Sequence, residues 1–167
     1  ETLVAISALK PAPGRLENIR GPKGTSVIID YAHTPDALEN VLGTLRDIAP
    51  GHELICVFGC GGDRDKTKRP EMAQVAQKLA DKIIVTSDNS RTEKTSDIMA
   101  DIKAGMDLNG RSRSLFIEDR EEAIRTAVMI AGPGATILLA GKGHETYQIT
   151  GGEKKHFDEK EIVEEIF

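Results

Sequence analysis

Phe58-Gly59-Cys60-Gly61-Gly62-Asp63-Arg64-Asp65 is the stretch on which the reading of this chain turns. It follows an apolar run over residues 53–57, with the strand itself read at Leu54 to Phe58, and leads into a helical pattern over residues 68–80. Strand, glycine loop and helix in that order form one unit of an α/β fold with a ligand cradle at its turn. Glycine lets the backbone take positive φ and approach a bound group closely, and a helix start offers unpaired N–H groups. The loop is not a nucleotide fingerprint. A dinucleotide loop needs glycine where Arg64 stands, and a Walker A loop needs Gly-Lys-Ser/Thr, which the chain lacks. Asp63, Arg64 and Asp65 instead put both charge signs at the rim, which suits a zwitterion better than a polyphosphate. The plainer alternative is a glycine-rich turn with solvated charges.

The same alternation recurs on both sides. Upstream, Ser26 to Asp30 is a buried strand by its β-branched run. Thr34 caps a helix with Pro35 at its first position, and Leu38, Val41, Leu42, Leu45 and Ile48 follow at helical spacing until Pro50-Gly51. Before these lie mildly apolar residues 2–9, an entry loop at Lys10-Pro11-Ala12-Pro13-Gly14-Arg15, a short strand at residues 16–19 and a turn at residues 21–24.

Downstream, the helix after the glycine loop, starting at Pro70, turns Met72, Val75, Ala76 and Leu79 inward, and residues 83–86 form the next strand. A weaker helix runs from Ser96 through Ile98 and Ile102 toward Leu108, followed by a short strand at residues 115–117. Asp119 caps a helix facing inward through Ala123, Ile124, Ala127 and Val128, broken at Gly132-Pro133-Gly134. Thr136 to Ala140 is the last buried strand, and residues 147–156 make a hairpin around Gly151-Gly152. Asp158 with Glu161 spells a capping box for a final helix carrying Ile162, Val163 and Ile166. Strands alternating with helices mean an α/β fold with a mainly parallel sheet and helices on both faces.

A length of 167 residues fits one domain, and a net charge of −5 argues against a nucleic-acid or anionic-membrane surface. Cys56 and Cys60 are spaced as neither a C-x-x-C redox pair nor half of a zinc knuckle, and two cysteines make no disulfide framework. With no signal peptide and no apolar run long enough to span a bilayer, the chain reads as reduced and cytoplasmic. It begins at Glu1 without methionine, which leads us to expect a fragment of a longer protein.

Four polar clusters each fall just beyond the carboxyl end of a predicted strand: Asp30-Tyr31-Ala32-His33, the glycine loop, Ser87-Asp88-Asn89-Ser90-Arg91 and Gly141-Lys142-Gly143-His144-Glu145. In an open parallel sheet those ends share one edge, where ligands bind. Each cluster also has a local explanation. Asp30 can cap the helix that follows, His33 can serve a turn, and Asp88-Asn89-Ser90 is good turn chemistry, which leaves Arg91 without a local reason. Lys142 is a candidate phosphate ligand, but His144 stands where a phosphate loop has Ser or Thr. His144 and Glu145 lack the second ligand at i+4 that a zinc helix would carry, so no metal is expected. Cys60 is either a reactive thiol beside an arginine or a small residue in a tight loop.

These motifs together resemble the C-terminal domain of the Mur ligases. The resemblance rests on Asp30-Tyr31-Ala32-His33-Thr34-Pro35-Asp36-Ala37-Leu38, Gly61-Gly62-Asp63-Arg64-Asp65 with Lys68-Arg69-Pro70, Asp88-Asn89-Ser90-Arg91-Thr92-Glu93, and Ala140-Gly141-Lys142-Gly143-His144-Glu145. It runs from Pro13 to Gln148 and is closest to the members that add 2,6-diaminopimelate. It implies that residues 1–167 are the Rossmann-like C-terminal domain of a three-domain cytoplasmic enzyme of peptidoglycan synthesis. The N-terminal and central domains, the latter with the Walker A loop and Mg2+ sites, would lie outside this chain. The implied partners are ATP, meso-diaminopimelate and UDP-N-acetylmuramoyl-L-alanyl-D-glutamate.

Position by position, the resemblance assigns Arg15 to the ATP phosphates and Asp30 to the adenosine ribose. It assigns Arg64, Asn89, Arg91, Gly141 and Glu145 to diaminopimelate, with Asp88 and Ser90 in the same recognition motif. No catalytic residue and no metal ligand is assigned to this chain. Ser90 departs from the family motif, which has proline there, and that relaxes the loop. Three readings stand at this point: a diaminopimelate ligase fragment; the same scaffold selecting lysine or serving a relative such as folylpolyglutamate synthase; and a non-catalytic α/β ligand-binding module. Arg91 argues against lysine, which has no distal carboxylate for it to pair with.

Overall fold

Three apolar pentapeptides, too short for buried helices, become the centre of a sheet in the computed structural model, which describes residues 12–167. They are β2 (Ser26–Asp30), β3 (Leu54–Phe58) and β6 (Thr136–Ala140), each buried throughout. With β1 (Glu17–Arg20), β4 (Lys82–Val85) and β5 (Ser114–Phe116) they form a six-stranded sheet in the order β1-β2-β6-β3-β4-β5. The edge strand β1 is antiparallel to β2, and the other pairings are parallel. The expected α/β architecture is thus present, with one antiparallel edge.

Successive residues of a strand face opposite sides, so each buried strand feeds two cores. Ile28, Cys56 and Leu138 pack under α1 (Pro35–Ile48), α2 (Lys68–Leu79) and α3 (Thr95–Ala104), through Leu38, Leu42, Met72, Ala76, Ile98 and Ile102. Val27, Ile29, Ile55, Val57, Ile137 and Leu139 face the other way, under Ala123, Ile124 and Ala127 of one helix and Ile162 and Val163 of another. The short α4 (Leu108–Ser112) precedes those two, which are α5 (Arg120–Ile130) and α6 (Glu159–Ile166). Thr34 caps α1 by accepting from Ala37 N, as its position before Pro35 predicts.

Two expectations need correction. The helix expected to continue toward Leu108 ends at Ala104. A Cβ at Gly105 would overlap the carbonyl of Pro70 on α2, so the backbone approaches too closely for any residue but glycine; Asp107 then caps α4. The capping box at the last helix is half made. Asp158 accepts from Lys160 N at 2.9 Å, whereas the Glu161 carboxylate turns to His156 Nε2 at 2.8 Å. The hairpin forms as β7 (Tyr147–Thr150) and β8 (Glu153–His156), with Gly151 and Gly152 both at positive φ, the requirement of a tight two-residue turn. Residues 2–9, Lys10 and Pro11 lie outside the described residues. Among those described, no helix is long and apolar enough to cross a membrane.

Candidate functional site

The strand order places β2, β6, β3 and β4 side by side and parallel, so the loops leaving their carboxyl ends are neighbours. They surround a cleft of about 500 Å³. Arg64, Asp88, Asn89, Arg91, Gly141 and Glu145, all singled out in the sequence, line it, together with Tyr31, His33, Lys68 and Tyr147. Three predicted site residues lie elsewhere. Ser90 is buried, and among the described residues its hydroxyl has no partner. Arg15 is exposed on the entry loop. Asp30 spends one carboxylate oxygen on Leu16 N at 2.9 Å and the other on Ala32 N at 2.8 Å, tying the entry loop to the end of β2.

The glycine loop works differently from its sequence reading. Its left-handed residue is Asp63, at φ 55°, not a glycine. A Cβ at Gly59 would overlap Thr86 O, and one at Gly62 would overlap Ser90 O. These glycines admit the neighbouring loop rather than a ligand. Gly62 N donates to Asn89 O at 2.8 Å, and Asp63 holds Thr92 through both its carboxylate oxygens. The loops after β3 and β4 therefore form one unit.

Asn89 is the best-anchored group in the cleft. Its Oδ1 accepts from Lys142 Nζ at 3.2 Å and Ile149 N at 3.0 Å, while its Nδ2 donates to Glu145 Oε2 at 3.2 Å. Glu145 in turn raises the Tyr147 phenol, first by hydrogen bonding and then by its charge. Arg91, left without a local role by the sequence, has one after all: Nη1 donates to Gly62 O at 3.0 Å and Asn89 O at 3.3 Å. Among the described residues its Nε and Nη2 have no partner, which leaves one edge of the planar guanidinium for a carboxylate. Arg64 is exposed, with Nη1 on Asp63 O at 3.0 Å.

Three buried cations lie below the cleft: Lys142, which the sequence offered to phosphate, and Arg120 and Arg69, to which it gave no role. Lys142 points into the protein and is fully buried, so it is not available as a phosphate ligand. Burial pulls its pKa down against the opposing pull of Asp88. Arg120 is also unexposed; it meets Glu159 Oε2 at 3.1 Å, Ser87 O at 2.9 Å and Ala140 O at 3.0 Å. Arg69 grips Glu93, Asp101 and the Gly61 carbonyl. The signal for both arginines was in the periodicity. Arg69 stands three before Met72, and Arg120 three before Ala123 and four before Ile124, so each lies on the apolar stripe of its helix.

Cys60 is a small packing residue rather than a reactive thiol. Its Sγ sits 3.7 Å from Met72 Sδ, and burial pushes its pKa up to about 12. His33 serves its turn, with Nδ1 2.9 Å from Tyr31 O. Among the described residues no group of three or more His, Cys, Asp or Glu is placed to hold a metal ion.

Residues 14–143 match the family model described as Mur ligase, glutamate ligase domain. The chain belongs to that family. It is 52% identical over 168 residues to a UDP-N-acetylmuramoyl-L-alanyl-D-glutamate--2,6-diaminopimelate ligase of Bacteroides fragilis, covering 100% of this chain and 35% of that protein. The protein of the same name from Synechococcus elongatus is 53% identical over 163 residues, covering 96% of this chain and 32% of its own. A solved structure under that name superposes with a TM-score of 0.86 at 45% identity, covering 95% of this chain and 32% of that one. The chain spans about a third of the length of the curated relatives it matches.

Proposed function

We propose that this chain is the C-terminal, amino-acid-reading domain of an ATP-dependent ligase that joins meso-diaminopimelate to UDP-N-acetylmuramoyl-L-alanyl-D-glutamate in the cytoplasm. The observation that carries this reading is the make-up of the cleft: Arg64 and Arg91 line it together with Asp88 and Glu145, and Asn89 bridges the two signs. Diaminopimelate has two ammonium and two carboxylate groups. One amine must remain free to attack, so the far amino-acid end is what a selective site reads. The open edge of Arg91 suits its carboxylate bidentately, and Glu145 suits its ammonium.

In such a ligase ATP, held with Mg2+ mainly outside this chain, activates the glutamyl carboxylate by phosphorylating it. This chain binds and orients the amine, so its contribution is positioning and charge stabilisation. Exposed Arg15 is offered to the ATP phosphates. Asp30 is offered to the ribose, because a carboxylate that accepts two backbone N–H bonds still has lone pairs for a hydroxyl.

The test is the ratio of kcat/KM for diaminopimelate and lysine in the full-length enzyme, wild type against Arg91→Ala, at fixed salt. Truncating a guanidinium that faces a desolvated carboxylate costs about 2–5 kcal/mol, roughly thirtyfold or more for diaminopimelate. Lysine has no such carboxylate and should lose far less. An unchanged ratio would reduce Arg91 to its bonds with Gly62 and Asn89 and remove the basis for this reading.

A further inference from the structure

Two glycines decide where Lys142 goes. Gly141 has φ 116° and Gly143 φ 54°, conformations that side chains rarely adopt. A Cβ at Gly141 would lie 2.7 Å from Asp88 Oδ2, and one at Gly143 would lie 2.7 Å from Tyr31 Cβ. Between them the chain turns Lys142 away from the cleft, to a position without solvent exposure. Its ammonium lies 3.2 Å from Asn89 Oδ1 and 3.8 Å from Asp88 Oδ1, with the rings of Tyr147 and Phe157 each 5.8 Å away.

An ammonium has donors and no acceptor, so the oxygen end of the Asn89 amide must face it. Ile149 N donates to the same oxygen. The NH2 end is thereby committed to Glu145. An asparagine without these donors could present either end to a ligand, whereas here the choice is removed.

The charges point the same way. Asp88, Glu145 and Glu159 are the acids around Lys142 and Arg120. Lys142 lies 3.8 Å from Asp88, so without it Asp88 would lose a counter-ion and would compete with Glu145 for an incoming ammonium.

We propose that Lys142 is a positioning residue that holds the Asn89 oxygen and offsets Asp88, so that Asn89 and Glu145 form a fixed pair reading the amino-acid end of the substrate. The proposal rests on the function proposed above. In the full-length enzyme, Lys142→Met should raise KM for diaminopimelate by about tenfold or more, with kcat and KM for ATP changing less than about threefold. Because the single change leaves Asp88 buried without its counter-ion, the Lys142→Met/Asp88→Asn double variant protects against loss of the fold. It should still show the raised KM, because the Asn89 oxygen keeps only Ile149 N and has lost its charged donor. A double variant with wild-type KM would overturn the proposal, as would equal effects on ATP and diaminopimelate.

A second measurement does not depend on the identity of the amino acid. In hydrogen exchange without substrates, Lys142→Met should speed exchange in residues 87–91 and 147–150 and leave residues 35–48 unchanged. Unchanged exchange in the first two segments would overturn the role of Lys142. Failure of the wild-type enzyme to ligate diaminopimelate would overturn the proposed function, while exchange would still decide the positioning role.

Discussion

Breaking the Arg120–Glu159 pair should cost more than breaking any surface pair in this chain, and removing both partners should not restore what is lost. Arg120 is unexposed and Glu159 is about 1% exposed, with Nε and Oε2 3.1 Å apart. Burial pulls the guanidinium's pKa down, and Glu159, Asp88 and Glu145 together overcome it, so the net direction is up and the group stays charged. Glu159→Gln removes the only carboxylate in direct contact with that charge among the described residues, and breaking a buried pair from one side costs about 3–5 kcal/mol. For a chain of this size that is a fall in Tm of roughly 6–20 °C.

A buried ion pair replaced by two apolar residues is often neutral or stabilising, because the desolvation penalty disappears with the charges. Here it should not be. Arg120 also donates to Ser87 O and Ala140 O, and in Arg120→Met/Glu159→Leu both carbonyls lose their donor. Each loss costs about 1–3 kcal/mol, about 2–6 kcal/mol together before the relief from removing the charges, so the double variant should remain below wild type. The assay is urea unfolding of wild type, both single variants and the double variant, followed by circular dichroism at pH 7. Repeating it at about 0.05 and about 0.5 M salt should change the differences little, since buried pairs are weakly screened. A double variant as stable as wild type would refute the reasoning, for the carbonyl clamp would then carry no energy.

Three further outcomes are expected. The chain alone should unfold cooperatively yet release no ADP when given ATP and both other substrates, since no Gly-Lys-Ser/Thr phosphate loop is present; substrate-dependent ADP from the pure chain would contradict this. Glu93 is held down at about pH 2, first by its bonds to Arg69 and then by Asp63 N, so its contribution is present above about pH 4.5 and is lost as pH falls toward about 2. Glu93→Gln should therefore lower stability at pH 7 and flatten the acid limb in that window, and an acid limb parallel to wild type would count against the assignment. Cys56 and Cys60 are both pushed up to about 12 by burial, so neither should be alkylated by iodoacetamide in native protein at pH 8, and both should be once urea unfolds it; native labelling read by mass spectrometry would show the core to be open.

What was legible in the sequence and what was not divides by the range of the interaction. The buried strands Ser26–Asp30, Leu54–Phe58 and Thr136–Ala140, the Thr34 cap and the Gly151-Gly152 turn are written in residues close to one another, and each was read at its observed position. Strand order is not local, yet four polar clusters after four strands were enough to bring their loops to one edge. What the sequence could not show is how the loops hold one another. Gly62 looked like room for a ligand, whereas the space it leaves is filled by Ser90 O. Lys142 looked like a hand extended to phosphate, but only the paired φ values of Gly141 and Gly143 turn it inward.

Arg120 shows why such residues escape a reading by motif. Its three partners come from 20, 33 and 39 residues away, so no window of sequence contains the reason for its charge. The contradiction that betrays it is local all the same: a guanidinium on the apolar stripe of a helix has to find acceptors within the fold. The candidates are the carbonyls at the ends of the strands that the helix covers. Ser87 and Ala140 occupy those ends, one residue before Asp88 and Gly141 in the cleft. Its third partner, Glu159, belongs to α6. The segment after Gly151, which carries none of the recognition motifs, is therefore tied through one arginine to the two loops that line the site.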